Sequence, residues 1–313
     1  MVKLSIIMVN WNSGIYLKKC LDSIFKNKPR YSFEVIVIDN NSSDQSLNRI
    51  KEYFSSITLV RNTKNIGLAK ANNQGVRLSK GRFLLFLNPD TEILPNSLDK
   101  MLNYFENNKN IGALGPKLIN PNGSIQTSCH GFISLLHVFF EISSLNRFFP
   151  KNRFNKFVLG KLLGSVFKNL LANYREYKKP VKVPVIMGSC FLTSRDVFEK
   201  VGYFDENFFL YHEENELCYK LKKKGLDCIY FPYAKVIHYS KKCTGKVPEK
   251  VFFEKCKSLL YFFKKHYKNK ILFFKIVSVV ALIVNLKISL IFDKNKKGLL
   301  KSRLNILRYI LKN

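Results

Sequence analysis

At 313 residues, 46% of them apolar and 14% aromatic, the chain is long enough and apolar enough to bury a full core, which argues against disorder. Its 53 lysines and arginines against 22 acids give a formal charge of +31. That charge calls for an anionic partner: nucleic acid, an acidic membrane surface, or phosphorylated molecules handled near one. Seven irregularly placed cysteines without a CxxC pair read as reduced core thiols, not as zinc ligands or a redox couple. The apolar start reaches Asn10 and Trp11 too soon for a secretory signal, so translocation is not expected.

In chain order, residues 4–9 form an apolar strand, and 14–26 a helix with Leu17, Cys20, Leu21 and Ile24 on one face. Residues 35–38 form a second strand, ended by Asp39-Asn40-Asn41-Ser42-Ser43-Asp44, which is turn and capping chemistry before a helix to about residue 54. A strand at 57–60, a helix at 68–78 and a strand at 83–87 follow. Unbroken apolar strands alternating with helices predict an α/β fold, its mostly parallel sheet covered by helices on both faces. Ligands of such sheets gather beyond the carboxyl ends of the strands. Here those ends read Asn10-Trp11-Asn12-Ser13, Asp39-Asn40-Asn41, Arg61-Asn62 and Asn88-Pro89-Asp90.

Residues 131–180 break the alternation, first apolar and aromatic and then basic, and read as a helical insertion. A buried strand at 183–193, a short helix at 196–201, a helix at 214–224 closed by Gly225 and a last strand at 228–231 come next. Three regions result: 1–120, 121–240 with the insertion, and a basic amphipathic tail over 241–313. Within the tail, 271–292 is long and apolar but carries Lys275, Asn285 and Lys287. A spanning helix needs roughly 20 mostly uncharged residues, so a helix lying on or shallowly in an anionic membrane surface is expected; spanning stays open because both lysines sit near the ends.

Four segments concentrate the chemistry. Ser5-Ile6-Ile7-Met8-Val9-Asn10-Trp11-Asn12 joins Val37-Ile38-Asp39-Asn40-Asn41-Ser42-Ser43-Asp44 at two strand ends, where Asp39 suits a pyrimidine N–H or, alternatively, a helix cap. Asn65-Ile66-Gly67-Leu68-Ala69-Lys70-Ala71-Asn72 sets a glycine before a helix whose free N–H groups suit a phosphate. Asn88-Pro89-Asp90-Thr91 offers a hard carboxylate ligand for a divalent cation at a strand end, and is also an ordinary turn sequence. Glu213-Glu214-Asn215-Glu216-Leu217-Cys218 clusters three acids in a chain poor in acids, at a helix start where they also suit the helix dipole.

In this order, over residues 3–239, these segments resemble glycosyltransferase family 2, the GT-A group, and within it the rhamnosyltransferase-like branch of bacterial surface-polysaccharide enzymes. The resemblance implies a GT-A fold with a Rossmann-like sheet. It implies metal-dependent, inverting transfer of a sugar from a nucleotide-diphosphate sugar, dTDP-rhamnose or a UDP-sugar, to a lipid-linked or polysaccharide acceptor in cell-surface glycan biosynthesis. The place implied is the cytoplasmic face of a bacterial membrane. By the same resemblance Asn10, Asn12, Asp39 and Asn41 cup the nucleoside, with Asp39 at the base, while Asn65, Gly67 and Asn72 follow along the donor. Asn88 and Asp90 match the Asp-x-Asp metal motif, with Asn88 a departure that removes one carboxylate. His238 joins Asp90 at the cation, Mn²⁺ being tolerated beside Mg²⁺, and Gly188 in Met187-Gly188-Ser189-Cys190 lines the cleft for donor sugar and acceptor. Glu214 matches the base that takes the acceptor proton, with Glu213 its neighbour; Glu stands where the family has Asp, which leaves both open for the role.

Two other readings use the same residues. A sugar-nucleotide nucleotidyltransferase shares the crevice but is expected to carry a Gly-rich basic loop where this chain has Asn10-Trp11-Asn12-Ser13. A basic nucleic-acid or membrane-binding protein without catalysis would use the charge alone; the interleaving of basic and apolar residues in the tail favours a membrane over nucleic acid, and no nucleic-acid partner is expected.

Overall fold

A computed structural model describes residues 2–145, 177–240, 242, 245, 247–292 and 296–313. In chain order the elements are β1 (Leu4–Asn10), α1 (Tyr16–Lys26), β2 (Phe33–Asp39), β3 (Thr58–Arg61), α2 (Leu68–Leu78), β4 (Phe83–Leu87), β5 (Thr91–Ile93), α3 (Ser97–Asn107), β6 (Ile111–Ile119), β7 (Cys129–His130) and α4 (Leu135–Ser143). They continue with β8 (Val181–Val183), β9 (Val185–Ile186), β10 (Cys190–Ser194), α5 (Arg195–Lys200), α6 (Glu213–Lys223), β11 (Asp227–His238), α7 (Pro248–His266), α8 (Ile271–Phe292) and α9 (Lys296–Lys312). The chain divides into two compact units, one of Met1–Gly131, Asn173–Phe209 and Glu213–Lys246, the other of Phe132–Ala172, Leu210–His212 and Val247–Asn313.

The first unit is built on one sheet in the order β3-β2-β1-β4-β10-β6-β11-β5, with β8 added on β11, beside a small β7-β9 pair. The strands β3, β2, β1 and β4 are parallel, as their unbroken apolar runs predict. Beyond them the sheet is mixed, because β10 runs antiparallel to both β4 and β6. Strand periodicity sorts the residues to two faces. Leu4, Ile6 and Met8 of β1 and Val35 and Val37 of β2 join Leu17, Cys20, Leu21 and Ile24 of α1 and Leu98, Met101 and Leu102 of α3 in one core. Val9, Ile36 and Ile38 face Ala71 of α2 on the other side.

Several elements differ from expectation. The helix expected up to residue 54 is a short 3-10 helix, Asn48–Tyr53, because the Asp44 carboxylate binds the amides of Gly14 and Ser46 within a bonded loop. The strand expected at 183–193 is cut into three pieces, and the break at Met187-Gly188-Ser189 becomes a wall of the site. The last strand runs to His238, well past Phe231, by shifting register on β6 between Phe231 and Lys235. Ile111–Ile119 is a strand whose sequence conceals it, since Gly112, Gly115 and Pro116 interrupt the apolar run. Gly115 is needed there: a Cβ would stand 2.1 Å from Ile186 Cγ2.

The second unit is helical, made of α4, α7, α8 and α9; residues 146–176, most of the expected insertion, lie outside the described residues. One face of α8 (Phe274, Ser278, Ala281, Leu282 and Asn285) is buried, with Phe274 against Phe263 of α7 at 4.8 Å. Asn285 accepts from Arg303 of α9 at 2.6 Å and donates to Ser144 at 2.9 Å, and Arg303 also pairs with Glu249. Under α4, Glu141 meets Lys255 (2.8 Å), His137 (2.8 Å) and His212 (3.5 Å). Burial would raise the Glu141 carboxyl, but the charges of Lys255, His212 and His137 hold it well below its ordinary range.

Candidate active site

The register of β1 on β2 sets Asn10 opposite Asp39 at the carboxyl edge of the sheet. Asn10 is buried, its Nδ2 lying 2.7 Å from Asp39 Oδ1, 2.9 Å from Ser46 Oγ and 3.0 Å from Ser42 Oγ, and its Oδ1 accepts from Ser13. Asp39 Oδ2 accepts the Ser42 amide at 3.1 Å. Asn12, in the left-handed region at φ 52°, accepts the amides of Ser43 (2.8 Å) and Asp44 (3.2 Å), and Asn41 at φ 63° turns the chain between them. The expected nucleoside residues are thus gathered into one bonded loop. Asp39 supports that loop with both oxygens, each of which keeps a second lone pair.

A lattice of amides continues along the crest. Asn40 donates to Asn65 Oδ1 at 3.1 Å and accepts from Asn62 at 3.0 Å, and Asn62 bonds Gln74 of α2 at 3.0 Å. Asn72 is buried on α2. Beside Gly67, expected along the donor, the space is instead filled by Phe209: a Cβ on Gly67 would stand 2.8 Å from Phe209 O, and φ is 89°. The first amide of α2, on Leu68, donates to that same carbonyl at 2.7 Å and so is engaged by the chain itself.

The Asn88-Pro89-Asp90 turn follows β4. The Asn88 carbonyl accepts from Thr91 Oγ1 at 2.7 Å, and its amide donates to Ser189 O at 2.9 Å. Antiparallel pairing of β5 on β11 sets His238 beside Thr91 and brings its Nε2 to 3.4 Å from Asp90 Oδ1, both residues being buried. These two residues, distant in sequence, are therefore together. Among the described residues no three of His, Cys, Asp and Glu converge on one point. A cation at Asp90 and His238 would accordingly take its remaining ligands from diphosphate oxygens and water, which suits a hard divalent ion, and the imidazole suits Mn²⁺.

The acids open α6. A Cβ on Gly188 would stand 3.5 Å from Glu214 Cβ and 3.8 Å from its Cδ, so the Glu214 side chain lies over Gly188. Burial, together with the neighbouring charge of Glu214, pushes the Glu213 carboxyl well above its ordinary range. The Glu213 carboxyl is therefore harder to ionise than an exposed one beside Glu214. Among the described residues Glu213 Oε2 and Ser189 Oγ are buried and meet no hydrogen-bond partner. Glu216 is fully buried and pairs with Lys220 at 3.1 Å, one turn on, which gives it a structural task.

Sequence reasoning missed Gln126, which bonds His238 at 2.6 Å. The only signal was the turn sequence Asn120-Pro121-Asn122-Gly123 that folds this residue back.

A family model described as Glycosyl transferase family 2 matches residues 5–202. An N-acetylglucosaminyl-diphospho-decaprenol L-rhamnosyltransferase of Mycobacterium tuberculosis (strain CDC 1551 / Oshkosh) is 28% identical over 258 residues, covering 78% of each chain. Among solved structures, the mannosyltransferase PcManGT from Pyrobaculum calidifontis, in complex with GDP-Man and Mn²⁺, superposes with TM-score 0.58 at 15% identity over 99% of this chain and 86% of its own. GalNAc-T7 with UDP, GalNAc and Mn²⁺ superposes with TM-score 0.56 at 20% identity over 76% of this chain, which spans only 43% of that protein. At those identities the two structures share the fold, a central sheet with helices on both sides.

Proposed function

The chain belongs to glycosyl transferase family 2, and on that premise we propose that it transfers a sugar, with inversion, from a nucleoside-diphosphate donor to a lipid-linked or polysaccharide acceptor in cell-surface glycan synthesis. The observation that carries this reading is a shared wall. The Asn88 amide bonds Ser189, which fixes the loop carrying Asp90 beside Gly188, and Gly188 lies under Glu214. A diphosphate held near Asp90 and His238 and an acceptor hydroxyl near Glu214 would then flank one sugar.

The acceptor hydroxyl gives its proton to the Glu214 carboxylate while its oxygen attacks the anomeric carbon. The bond from that carbon to the leaving diphosphate breaks on the opposite face, and its electron pair stays on the diphosphate oxygen. Burial and the neighbouring Glu214 charge oppose ionisation of Glu213, which disfavours a second negative charge beside the base. A divalent cation, Mn²⁺ or Mg²⁺, would be held by Asp90 and His238 and would offset charge on the departing diphosphate. Asn10, Asn12, Asp39 and Asn41 would frame the nucleoside, and dTDP-rhamnose or a UDP-sugar is the donor class this reading favours. The relative named as a rhamnosyltransferase on a diphospho-decaprenol lipid supports a lipid-linked acceptor.

A lipid-linked acceptor calls for work at a membrane surface, and the cytoplasmic face of a bacterial membrane is the location this reading favours. Among the described residues Lys268–Ile291 is long and apolar enough to cross a membrane, with mean hydropathy 2.3. Two features favour an in-plane position instead. Leu272, Phe273, Ile276, Val280, Ile283, Leu290 and Ile291 form an exposed stripe on α8, opposite the face that Asn285 occupies. The helix α9 runs antiparallel beside α8, held by Arg303 to Asn285 and by Lys275 Nζ to Leu311 O (3.0 Å), so a spanning α8 would draw Lys301, Arg303 and Arg308 into hydrocarbon.

Incubation with UDP-, dTDP- and GDP-sugars plus Mn²⁺ tests the reading. One donor should raise the melting temperature and be consumed when a polyprenyl-diphosphate sugar acceptor is added. Absence of protection by every nucleotide sugar would refute it.

A further inference from the structure

The segment after β6 is folded back by a tight turn. Gly123, at φ 79°, donates its amide to Asn120 O at 2.8 Å, and the Gln126 amide returns to Leu118 O at 2.9 Å. Because Ile119 of β6 pairs with Ile237 of β11, the return places Gln126 beside His238.

Three contacts settle how the Gln126 amide is turned. Its Nε2 lies 3.2 Å from the backbone carbonyl of His238 and 2.9 Å from Asn120 Oδ1. A backbone carbonyl can only accept, so the atom facing it is the NH₂ group, and the Oε1 atom then faces His238 Nδ1 at 2.6 Å. An amide oxygen cannot donate, so Nδ1 carries the hydrogen, and a neutral imidazole then has a bare Nε2. That nitrogen faces Asp90 Oδ1 at 3.4 Å, beyond the ordinary N–H···O range of about 2.7 to 3.2 Å. With the ring neutral, Nε2 and Asp90 Oδ1 turn lone pairs toward one point, as ligands of a shared cation do.

We infer that Gln126 is a positioning residue: it grips His238 at ring and backbone, fixes the Nδ1–H tautomer, and so presents Nε2 with Asp90 to a divalent cation. The inference rests on the cation seat proposed above and adds the residue that prepares it. Gln126 touches neither donor nor acceptor in this role.

The test uses the full chain, free of metal and then titrated with Mn²⁺ alone. Long-range ¹H–¹⁵N spectra of the His238 ring should show the Nδ1–H tautomer in the wild type, and an Nε2–H tautomer would overturn the inference. Gln126→Met should lose that tautomer and weaken Mn²⁺ binding, read by electron paramagnetic resonance, by about 10- to 100-fold. Gln126→Glu restores an acceptor at Nδ1 and should recover both signals, which separates positioning from packing and serves if the Met variant fails to fold. If His238→Ala weakens Mn²⁺ binding but Gln126→Met does not, Gln126 has no such role and the cation seat stands. If His238→Ala binds Mn²⁺ like the wild type, the seat itself is wrong and this inference goes with it.

Discussion

The amide of Asn88 donates to the carbonyl of Ser189 at 2.9 Å, and through that bond the turn bearing Asp90 is fastened to the stretch that lies under Glu214. The adjoining Gly188 has room for a methyl group against Glu214, at ordinary contact distance. Gly188→Ala should therefore melt like the wild type, within about 0.5 kcal/mol, while kcat/KM falls by about tenfold or more because the methyl enters the space between Glu214 and its substrate. Unchanged kinetics would remove Gly188 from the cleft.

Gly67 and Gly123 both have positive φ, but only Gly67 is crowded, by the Phe209 backbone. In urea titrations Gly67→Ala should cost about 2 to 4 kcal/mol, strain and overlap combined, and Gly123→Ala only about 1 kcal/mol. Equal costs would show that the Phe209 contact is not what requires glycine at residue 67.

Glu141 gives the second unit an acid limit. Its carboxyl is held below its unfolded value of 4.5 by Lys255, His212 and His137. Below pH 4.5 the unfolded chain binds the proton that the folded one refuses. The contribution is thus complete above that pH and is lost as pH falls towards the folded value. Glu141→Gln should cost about 3 kcal/mol at pH 7, by stranding Lys255, and should flatten the acid limb of a stability-against-pH curve. An unchanged acid limb would assign the sensitivity to other groups.

On the in-plane reading, the chain should bind vesicles containing phosphatidylglycerol, lose that binding in high salt, and leave native membranes in alkaline carbonate. Replacing Ile276 and Ile283 by Glu on the exposed stripe should abolish vesicle binding without altering the far-ultraviolet circular dichroism. Retention after carbonate would instead mean that α8 spans.

The first strands and helices were legible because periodicity reports burial: Leu17, Cys20, Leu21 and Ile24 define α1, and the unbroken apolar runs define β1, β2 and β4. Strand direction was not, since an apolar run such as that of β10 reads the same parallel or antiparallel. The length of β11 was hidden by Pro232 and by exposed Tyr233, which look like loop. Polar residues at strand ends could be picked out one by one as candidates, and pairing across the sheet, which no local pattern encodes, is what joins His238 to Asp90. In the Glu141 cluster His137 lies one turn away on α4, but His212 and Lys255 are distant in sequence and were invisible for the same reason.

Two glutamine substitutions separate the roles of Glu214 and Glu213. Measured on the donor identified by the sugar-nucleotide panel, Glu214→Gln should lower kcat by about 10²- to 10⁴-fold with donor affinity near that of the wild type. Glu213→Gln, which replaces a carboxyl whose ionisation burial already opposes, should keep kcat within about tenfold. An active Glu214→Gln enzyme, or one that has lost its donor, would contradict the assignment of Glu214 as the base.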